Sequence, residues 1–459
     1  MSSVDPQIRQ ALMLVKFSIG DTKLGYDRFA RHLKLDLAIG ADTCDLEHPI
    51  PITPESRGRS SLLLVGLSAA SLMLLIVWPS ADISLGGDHY MHLARRFADG
   101  FLDVDNLSPA YRDYVVWDGH KYLPFGPLPA VLLIPFVWAF GTGIPLVFYG
   151  YAATAANIAL FSSVLNRIGL AGERKYWIVL LYFGGTAYLS VTLAGISTFF
   201  AHIITTSFLL LAVVEILGKR RLVLAGLFVG LAAASRMTAA LALPFFLWLV
   251  LQEPTSRQPA ERGHRWQGRL LPMALVLAGF ATPLLGLAFY NHARFGNPME
   301  TGFGLALLYS PVLEAARAEG LFSLAHVPKN LFMMLLQGPE LVVRPDGAVL
   351  IFPFIRPSPW GMGLFFTTPA LIYVFRANLR DPLVQASWLA VAATSVPIVS
   401  YYGIGYVQFG YRYALDFMPF LMLLVARGIP AKLSRIAVAL ITASVVINMW
   451  GAIFLGIWI

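Results

Sequence analysis

From residue 60 onward, long apolar runs alternate with short polar segments. A helix needs roughly 20 apolar residues to cross the hydrocarbon layer of a bilayer, so the pattern predicts about eleven spans. The predicted spans are 60–78, 145–166, 176–195, 198–217, 222–235, 237–251, 270–290, 361–376, 383–401, 414–426 and 436–457. We therefore expect an all-α integral membrane protein, folded as a polytopic helix bundle.

The apolar segment 127–140 is too short for this pattern, because it has about 14 residues where a crossing needs roughly 20. If it crosses, the basic loops that follow it lie outside; if it dips into the membrane and returns, they lie inside. Cytoplasmic loops retain Lys and Arg, so we predict the second arrangement. The clusters then placed inside are Arg167/Arg174/Lys175, Lys219/Arg220/Arg221, Arg257/Arg262/Arg265/Arg269, Arg376/Arg380 and Arg427/Lys432/Arg435.

This orientation divides the chain into four parts. Residues 1–59 form a cytoplasmic segment, which either docks as a tail or binds a cytoplasmic partner. Residues 60–290 form a transmembrane module that includes the outer loop 79–144. Residues 291–360 form a second large outer loop, and residues 361–459 supply the remaining transmembrane helices. We expect a multi-pass protein of the inner (plasma) membrane with a cytoplasmic N-terminus and an outward-facing site.

The composition agrees with a membrane protein and excludes a soluble enzyme. Of the 459 residues, 57% are hydrophobic and 13% are charged, whereas a soluble domain has about 25% charged residues. Fifteen of the 34 Lys and Arg lie in the five inner clusters, and eight more lie in residues 1–59. The net charge of +8 therefore indicates membrane orientation, and we expect no nucleic-acid partner. The single cysteine, Cys44, excludes an intrachain disulfide.

The first outer loop carries candidate chemistry in the run Gly87-Asp88-His89-Tyr90, with His92 close behind. Asp88 lies where a helix is predicted to begin. Its carboxylate therefore either caps that helix or acts as an acid or base on a substrate. His89 and His92 contact substrate or join Asp88 on a metal ion, but three residues do not specify a metal site, and we assign none.

Three basic residues of the outer regions are candidates for binding phosphate. Each lies beside an aromatic or imidazole side chain: Lys121 with Tyr122, Arg294 with His292, and Arg412 with Tyr411. The planar fork of a guanidinium suits phosphate well. The alternatives are snorkelling of the lysine and headgroup contact within an aromatic belt.

Charged residues are scarce within the predicted spans. Apart from the basic clusters, the charged residues counted within the spans are Glu215, Arg236 and Asp416. Glu215 lies four residues before Lys219, a spacing typical of a helical ion pair. Proton- and ion-coupled transporters more often place acidic residues at mid-membrane, and many transporters show internal duplication. The sequence shows no convincing duplication, so the pattern favours a membrane scaffold with an external reaction site over a transporter or lipid flippase.

Six stretches in this chain carry a family resemblance. They are residues 87–90, 121–135, 234–238, 290–303, 357–369 and 408–419. In their order and outward placement they resemble the GT-C superfamily of polytopic glycosyltransferases, which includes the protein O-mannosyltransferases and the lipid A aminoarabinose transferase. The resemblance is strongest to the large bacterial branch of that superfamily.

The resemblance implies an enzyme that moves a sugar from a polyprenyl-phosphate-linked donor to an acceptor, which is a glycan, a lipid or a protein. It implies that Asp88 is the base in an inverting displacement, that no cofactor is needed and that membrane lipids surround the site. The donor-phosphate residues it implies are Lys121, Arg294, Arg412 and Arg236. The implied substrate-binding residues are His89, Tyr90, His92, Tyr122, His292 and Tyr411. A groove lined by 127–140 and by an interfacial helix at 321–336 is expected to hold the polyprenyl tail.

Two departures from the family pattern leave the donor geometry and a requirement for a divalent metal open. His89 follows Asp88 where the family often has a second acidic residue, and Phe125-Gly126-Pro127-Leu128-Pro129 replaces the usual Pro-Pro-Gly. Two other functions stay open: a lipid or glycan transporter, and a membrane protein that binds a lipid-linked glycan without catalysis.

Overall fold

The computed structural model describes residues 87–108, 111–252, 267–308, 310–345, 347 and 349–458. Within these residues the chain is mostly helical, with two short antiparallel strand pairs. The N-terminal segment 1–59 and the first predicted span, 60–78, lie outside the described residues.

The helices follow one another with short connections. The α-helices are α1 His89–Ala98, α2 Leu128–Phe140, α3 Leu146–Arg167, α4 Gly172–Gly184, α5 Tyr188–Ala194, α6 Ser197–Leu217, α7 Leu222–Ser235, α8 Leu243–Leu251, α9 Gln267–Phe295, α10 Pro311–Ala318, α11 Val327–Leu335, α12 Leu364–Thr367, α13 Pro382–Ser400, α14 Met418–Gly428 and α15 Arg435–Trp458. The 3-10 helices are Met237–Ala242, Phe303–Leu305, Leu324–His326, Pro369–Arg376 and Arg412–Asp416. The strand pairs are β1 Val115–Trp117 with β2 His120–Tyr122, and β3 Glu340–Val343 with β4 Leu350–Arg356.

Among the described residues, five helices are long and apolar enough to cross a membrane. They are Leu146–Arg167, Ser197–Leu217, Arg269–Phe295, Pro382–Ser400 and Arg435–Leu455. The pair α4 and α5 passes the same test as one span that is bent by 51°. These findings confirm a helical chain with several membrane-length helices. Apolar helices of 10–17 residues occur near the predicted spans 222–235, 237–251 and 414–426, so the count of eleven stays a prediction.

Two predicted spans are wrong as single helices. The span 176–195 breaks between α4 and α5, where the Thr186 hydroxyl donates to the Tyr182 carbonyl at 2.7 Å and so competes with the backbone pattern of the helix. The span 361–376 forms only the four-residue α12 before a 3-10 helix begins at Pro369, because proline lacks the N–H that would continue an α-helix. A hydropathy pattern alone does not show where either helix breaks.

Four of the five predicted basic clusters meet at one end of the bundle, which we call the basic end. Arg427 pairs with Asp381 at 3.1 Å and donates to the Ile168 carbonyl, and Arg174 donates to the Ala426 carbonyl. Gly218 packs directly against the Arg167 guanidinium, and a Cβ there would also lie 2.7 Å from the Val214 carbonyl oxygen. Asp88 lies at the opposite end, which we call the Asp88 end, because α6 begins beside it and reaches the basic end after 21 residues, roughly 30 Å.

Two apolar cores meet at the N-terminal half of α6. The larger core contains Phe199 and Ile203 and includes residues of α3 to α8 and of α13 to α15. The smaller core contains Phe200 and Ile204 and includes residues of α1 and α2. Since consecutive residues of one helix serve different cores, the first turns of α6 are fixed from both sides. These turns position the candidate site.

The predicted dipping segment is a short helix. Its 13 residues span about 20 Å, less than the ~30 Å hydrocarbon layer. Leu133 and Val137 are buried, whereas Trp138 is exposed on the outside of the bundle. Just before it, a Cβ on Gly126 would clash with the Ala234 carbonyl oxygen. Helix α2 therefore starts in close backbone contact with the end of α7.

The second outer loop differs from its prediction in two ways. The helix expected at 321–336 is shorter and forms α11, which Asn330 ties to the end of α13 by donating to the carbonyls of Val399 at 2.9 Å and Tyr401 at 2.7 Å. The β3–β4 hairpin that follows was not predicted. Its apolar residues fit strand and buried helix equally well in a hydropathy pattern.

Candidate functional site

Asp88 precedes the first turn of α1, but its side chain makes no capping hydrogen bond. The Tyr111 hydroxyl instead donates to Asp88 Oδ1 at 2.5 Å, and His92 Nε2 lies 3.8 Å from Oδ2. The capping alternative is therefore wrong for this side chain, because the carboxylate turns away from the helix toward Tyr111. With a quarter of its side chain exposed, the carboxylate stays within reach of a substrate.

The backbone around Asp88 is anchored to the start of α6. The Ser197 N–H donates to the Gly87 carbonyl at 2.7 Å, and the Tyr90 N–H donates to Ser197 Oγ at 3.0 Å. Gly87 lies against Ile196, in ordinary van der Waals contact. Tyr90 is fully buried, and its hydroxyl has no hydrogen-bond partner among the described residues. Asp88 is thus fixed by its backbone, which leaves its carboxylate free for chemistry.

The two histidines of this loop surround Tyr111. His89 Nε2 lies 2.7 Å from the Arg112 carbonyl, to which it donates, and its ring meets Tyr111 edge-on at 5.2 Å. His92 Nε2 lies 3.2 Å from the Tyr111 hydroxyl. Burial lowers the pKa of His92, although the charge of Asp88 acts in the opposite direction. His92 is therefore neutral near pH 7, and Tyr111 is the residue that connects both histidines with Asp88.

Arg412 is a buried cation, and few groups of the protein compensate its positive charge. Its Nη1 donates to Gln408 Oε1 at 3.1 Å and to the Tyr406 carbonyl at 3.2 Å. Its Nε is buried without a hydrogen-bond partner, and only 8% of the residue is exposed. The guanidinium carbon lies 4.8 Å from the Phe199 ring and 5.1 Å from the Tyr413 ring. In the described part of the chain, no carboxylate lies within ion-pair distance of it.

Arg236 also lies near Tyr413, 5.3 Å from that ring, and its charge is compensated. Its Nε donates to both carboxylate oxygens of Asp416, at 2.7 and 3.0 Å. Asp416 is fully buried and also accepts from the Thr238 hydroxyl, with His202 Nδ1 3.0 Å away. Asp416 thus pairs with Arg236 and not with Arg412, which leaves a positive charge on Arg412.

The Asp88 and Arg412 sites are neighbours. Tyr111 binds Asp88, and Asp113, two residues later, interacts electrostatically with Arg412. Asp113 has a φ of 62°, a conformation that non-glycine residues rarely adopt. Phe199, which contacts Arg412, is one half-turn from Ser197, which anchors the Asp88 loop. A carboxylate and a cationic pocket therefore border one region at the start of α6.

Arg294 is also buried and its Nε also has no hydrogen-bond partner among the described residues, but both of its Nη atoms hold structural contacts. Its Nη1 donates to the Leu123 carbonyl at 2.6 Å and its Nη2 to Asn291 Oδ1 at 2.8 Å. The guanidinium lies 3.9 Å above the Tyr290 ring. These contacts tie the end of α9 to the chain after β2. His292, on the same helix, is exposed.

Lys121 and Tyr122 belong to this second group of predicted residues. Lys121 Nζ donates to the Leu107 carbonyl at 3.1 Å and lies 5.3 Å from the Tyr114 ring. Tyr122 meets Phe295 edge-on at 5.5 Å. The predicted site residues therefore form two sets: one around α6 with Asp88 and Arg412, and one around β2 and the end of α9. Tyr411, of the first set, is buried and meets Tyr413 edge-on.

Asp103, Asp105 and His120 could hold a metal ion, since their ligand atoms lie within 4.8 Å of one another. Asp103 Oδ1 already accepts from Arg96 at 2.6 and 3.0 Å. His120 Nδ1 lies 2.7 Å from Asp105 Oδ2, and Oδ1 accepts from the Lys121 N–H. The hydrogen bond and charge of Asp105 raise the pKa of His120. The same residues thus serve as ion pairs that brace the β1–β2 hairpin.

A groove of about 480 Å³ opens beside the second set of residues, because one of its lining residues is Tyr290, the ring on which Arg294 lies. Its lining is almost entirely apolar and comes from α1, the start of α2, α7 and α9. The lining residues are Phe97, Gly100, Phe101, Leu102, Pro127, Leu128, Val131, Ile134, Leu231, Ala234, Pro283, Gly286, Leu287 and Tyr290. The prediction of a groove beside 127–140 is supported. The prediction that 321–336 lines it is wrong, because α7 and α9 take that place.

Sequence reasoning missed Tyr111, His202 and Tyr413, which complete the geometry of the first set. Tyr111 lies in an irregular loop, where no periodic pattern marks it. His202 had a usable signal, because an ionisable side chain in an apolar span is commonly functional or paired. Tyr413 adjoins a predicted residue, but its position between two guanidiniums depends on the tertiary fold. Comparison of the chain with protein-family models, with curated proteins and with solved structures finds no match.

Proposed function

We propose that the chain is a membrane glycosyltransferase of the GT-C type, which transfers a sugar from a polyprenyl-phosphate-linked donor to an acceptor at the outer face of the membrane. The observation that carries the proposal is Arg412, a buried guanidinium with an unpartnered Nε and no carboxylate of its own among the described residues. The proposal includes a bundle of about eleven spans, by the sidedness of the basic residues, in the inner membrane.

A buried cation without a counter-ion is costly, so the site favours an anionic ligand. The aromatic rings of Phe199 and Tyr413 hold the guanidinium in place, and its free N–H groups fit phosphate oxygens. Arg236, also near the Tyr413 ring, adds positive potential, although its own Nε donates to Asp416. As the donor reacts, negative charge grows on the leaving phosphate, and fixed cations stabilise that charge.

Asp88 supplies the base of the proposed reaction. The acceptor oxygen or nitrogen attacks the anomeric carbon and loses its proton to Asp88, while the bond from that carbon to the phosphate oxygen breaks. The electron pair of that bond leaves with the lipid phosphate toward Arg412. The hydrogen bond from Tyr111 orients the carboxylate but occupies only Oδ1, so Oδ2 remains for the acceptor.

The groove beside Ala234 and Tyr290 suits the lipid tail of the donor. It is apolar, it lies within two residues of Arg236 along the chain, and one of its walls is α9, a helix of membrane length. Transfer of an apolar chain from water into such a lining is favourable in proportion to the area covered. A divalent metal, if the reaction needs one, has candidate ligands in Asp103, Asp105 and His120.

The test is sugar transfer by the purified full chain in lipid nanodiscs, with polyprenyl-phosphate sugars as donors and a panel of acceptors. We expect Asp88→Asn to lower the transfer rate by about 100-fold or more, since general-base catalysis contributes on that order, while donor binding persists. Asp99→Asn is the matched control, because Asp99 is an exposed acid of the same loop paired with Arg95. We expect Arg412→Gln to lose donor binding itself.

Full activity of the Asp88→Asn variant would exclude Asp88 as the base. Donor binding without transfer to any acceptor would favour a non-catalytic binding protein. Movement of the lipid across a sealed bilayer, with no loss of sugar from it, would favour a flippase.

A further inference from the structure

The β3–β4 hairpin exposes apolar side chains on both of its faces. Residues 349–355 read Val-Leu-Ile-Phe-Pro-Phe-Ile, and every residue of that run is exposed, with Phe352 84% exposed. Neighbouring side chains of a strand point to opposite faces, so no element of the described chain covers either face. Leu341 and Val343 on the partner strand are exposed as well.

By itself, this hairpin would not be stable in water. An isolated two-stranded hairpin is marginal even with favourable side chains, and a soluble surface rarely leaves so many adjacent apolar groups open. Charges are confined to its ends. Glu340 and Arg356 pair at the base at 3.1 Å, and Arg344 lies at the turn. The middle of the hairpin is therefore uniformly apolar.

The hairpin lies near one end of a membrane-length helix. It follows α11, which is tied to the last residues of α13, a helix of membrane length. A second tie joins Ser323 N–H to the Ser400 carbonyl at 2.8 Å. Helix α13 starts at the basic end, where Asp381 pairs with Arg427, so the hairpin belongs to the Asp88 end.

The exposed apolar surface also continues from the hairpin to the bundle. Along the chain, Leu331, Phe332 and Leu336 of the α11 region are exposed just before Leu341. On α13 itself, Val396 is exposed near the end that α11 contacts. A membrane-length helix turns such a side toward lipid. The hairpin thus extends a surface that already faces the membrane.

We propose that the β3–β4 hairpin inserts into the lipid leaflet at the Asp88 end and anchors the second outer loop there. Lipid covers both faces at once, which one flat protein partner does not do. The hairpin lies at the boundary of headgroups and acyl chains, because the free N–H and C=O groups of its two outer edges need polar partners that the hydrocarbon centre lacks. This anchoring is independent of the proposed chemistry.

The test uses the full chain with Cys44→Ser, which removes its one cysteine, and a single new cysteine at Phe352→Cys. An environment-sensitive dye is attached there, and the protein is reconstituted into nanodiscs whose lipids carry spin-label quenchers either near the headgroup or deep in the acyl chain. Phe352 is almost fully exposed, so its replacement removes no core packing. Leu350→Cys is a second hairpin position, and Arg95→Cys, on the polar side of α1, is the control.

We expect the dye at 352 and at 350 to emit at shorter wavelength than at 95, and to be quenched most strongly by the shallow spin label. Emission typical of water at both hairpin positions, with no lipid quenching, would overturn the proposal. Efficient disulfide cross-linking between two chains through position 352, without lipid quenching, would also overturn it and would assign the surface to a second copy.

Discussion

Arg236 and Arg412 have the same side chain but different surroundings. Arg236 donates to Asp416 through Nε, whereas the Nε of Arg412 has no partner among the described residues. The difference comes from Asp416, which lies beside one guanidinium and not the other. The sequence suggests all of these residues as unusual charges near apolar spans, but it contains no information on which carboxylate meets which guanidinium.

Asp416→Asn tests this division of charge. The change removes the fully buried partner of Arg236, whose own side chain is 20% exposed, and removal of one partner of a buried pair costs about 3–5 kcal/mol of unfolding free energy. We expect a loss of that order in chemical or thermal unfolding of the detergent-solubilised protein. Arg95→Gln is the control, because it breaks the Arg95–Asp99 pair, both of whose side chains are exposed; such pairs contribute below about 1 kcal/mol. Equal losses in both variants would contradict a special role for Asp416.

The ion pair of Asp105 and His120 gives the β1–β2 hairpin a pH dependence. Asp105 raises the pKa of His120 above its ordinary value, about 6.5. The stabilisation that His120 gains is therefore complete below about pH 6.5 and is lost as the pH rises through the raised pKa.

Burial opposes ionisation of Asp105, but hydrogen bonds from the Lys121 N–H and from His120 outweigh it and lower its pKa. That contribution is present above about pH 3.9 and is lost as the pH falls through the lowered pKa.

We expect Asp105→Asn to return the pKa of His120 toward 6.5, as measured by NMR titration of the histidine ring. Asp118→Asn removes a weaker charge near the same ring and should change that pKa less. A pKa that does not move in the Asp105→Asn variant would contradict the ion pair.

Glu215 shows how a local rule fails at a helix end. Its spacing from Lys219 predicts a pair within one helix, but that prediction is wrong: α6 ends at Leu217, and Glu215 instead binds Arg221 at 2.5 and 2.8 Å. The spacing rule assumes that the helix continues through both residues. The sequence alone does not fix the last residue of a helix closely enough for that assumption.

At the scale of elements, long apolar segments are predicted well from the sequence. The predicted span 198–217 matches α6, Ser197–Leu217, and 383–401 matches α13, Pro382–Ser400. Because these segments are long and uniformly apolar, a hydropathy pattern predicts each of them as one membrane-length helix. The β3–β4 hairpin was not predicted, because a short apolar run fits strand and helix equally. The segment is a strand because it pairs with β3. A hydropathy pattern is read along one segment at a time and does not contain this pairing.

The groove beside α2 gives a prediction for one element, helix α9. Gly286 lines the groove, and a Cβ at this position would meet no atom within 4 Å. Gly286→Leu should therefore fill the groove without clashing with the fold, and also improve helix propensity. We expect weaker binding of donors with long polyprenyl chains but unchanged binding of a donor with a short, water-soluble tail.

Gly286→Ala is the matched control, because it adds one methyl group and leaves most of the groove open. Binding is measured by competition against a fluorescent lipid phosphate in detergent micelles. Equal loss of short-tail and long-tail donors would show that the change disturbs the phosphate site and not the groove. No loss of either would exclude this groove as the tail site.

At the scale of the whole molecule, the charges separate along the long helices. The loops with Arg167, Arg174 and Arg427 meet at the basic end, while Asp88 and the β3–β4 hairpin lie at the other. This separation agrees with the predicted clustering of basic residues on one side of a membrane. The tertiary contacts confirm that these loops are together. The side of the membrane that these loops face depends on the topology of the chain in the cell.

Three single cysteines in the Cys44→Ser chain decide that topology: Val116→Cys before α2, Gly143→Cys after it, and Asn166→Cys at the end of α3. Val116 and Asn166 are exposed, and Gly143 has open space around it. Helix α2 is too short to cross, so we expect a membrane-impermeant thiol reagent to label positions 116 and 143 in intact cells. Position 166 should react only after permeabilisation, since basic loops stay inside. Labelling of 116 and 143 from opposite sides would show that α2 crosses, which would contradict the arrangement in which this segment dips into the membrane and the basic loops lie inside.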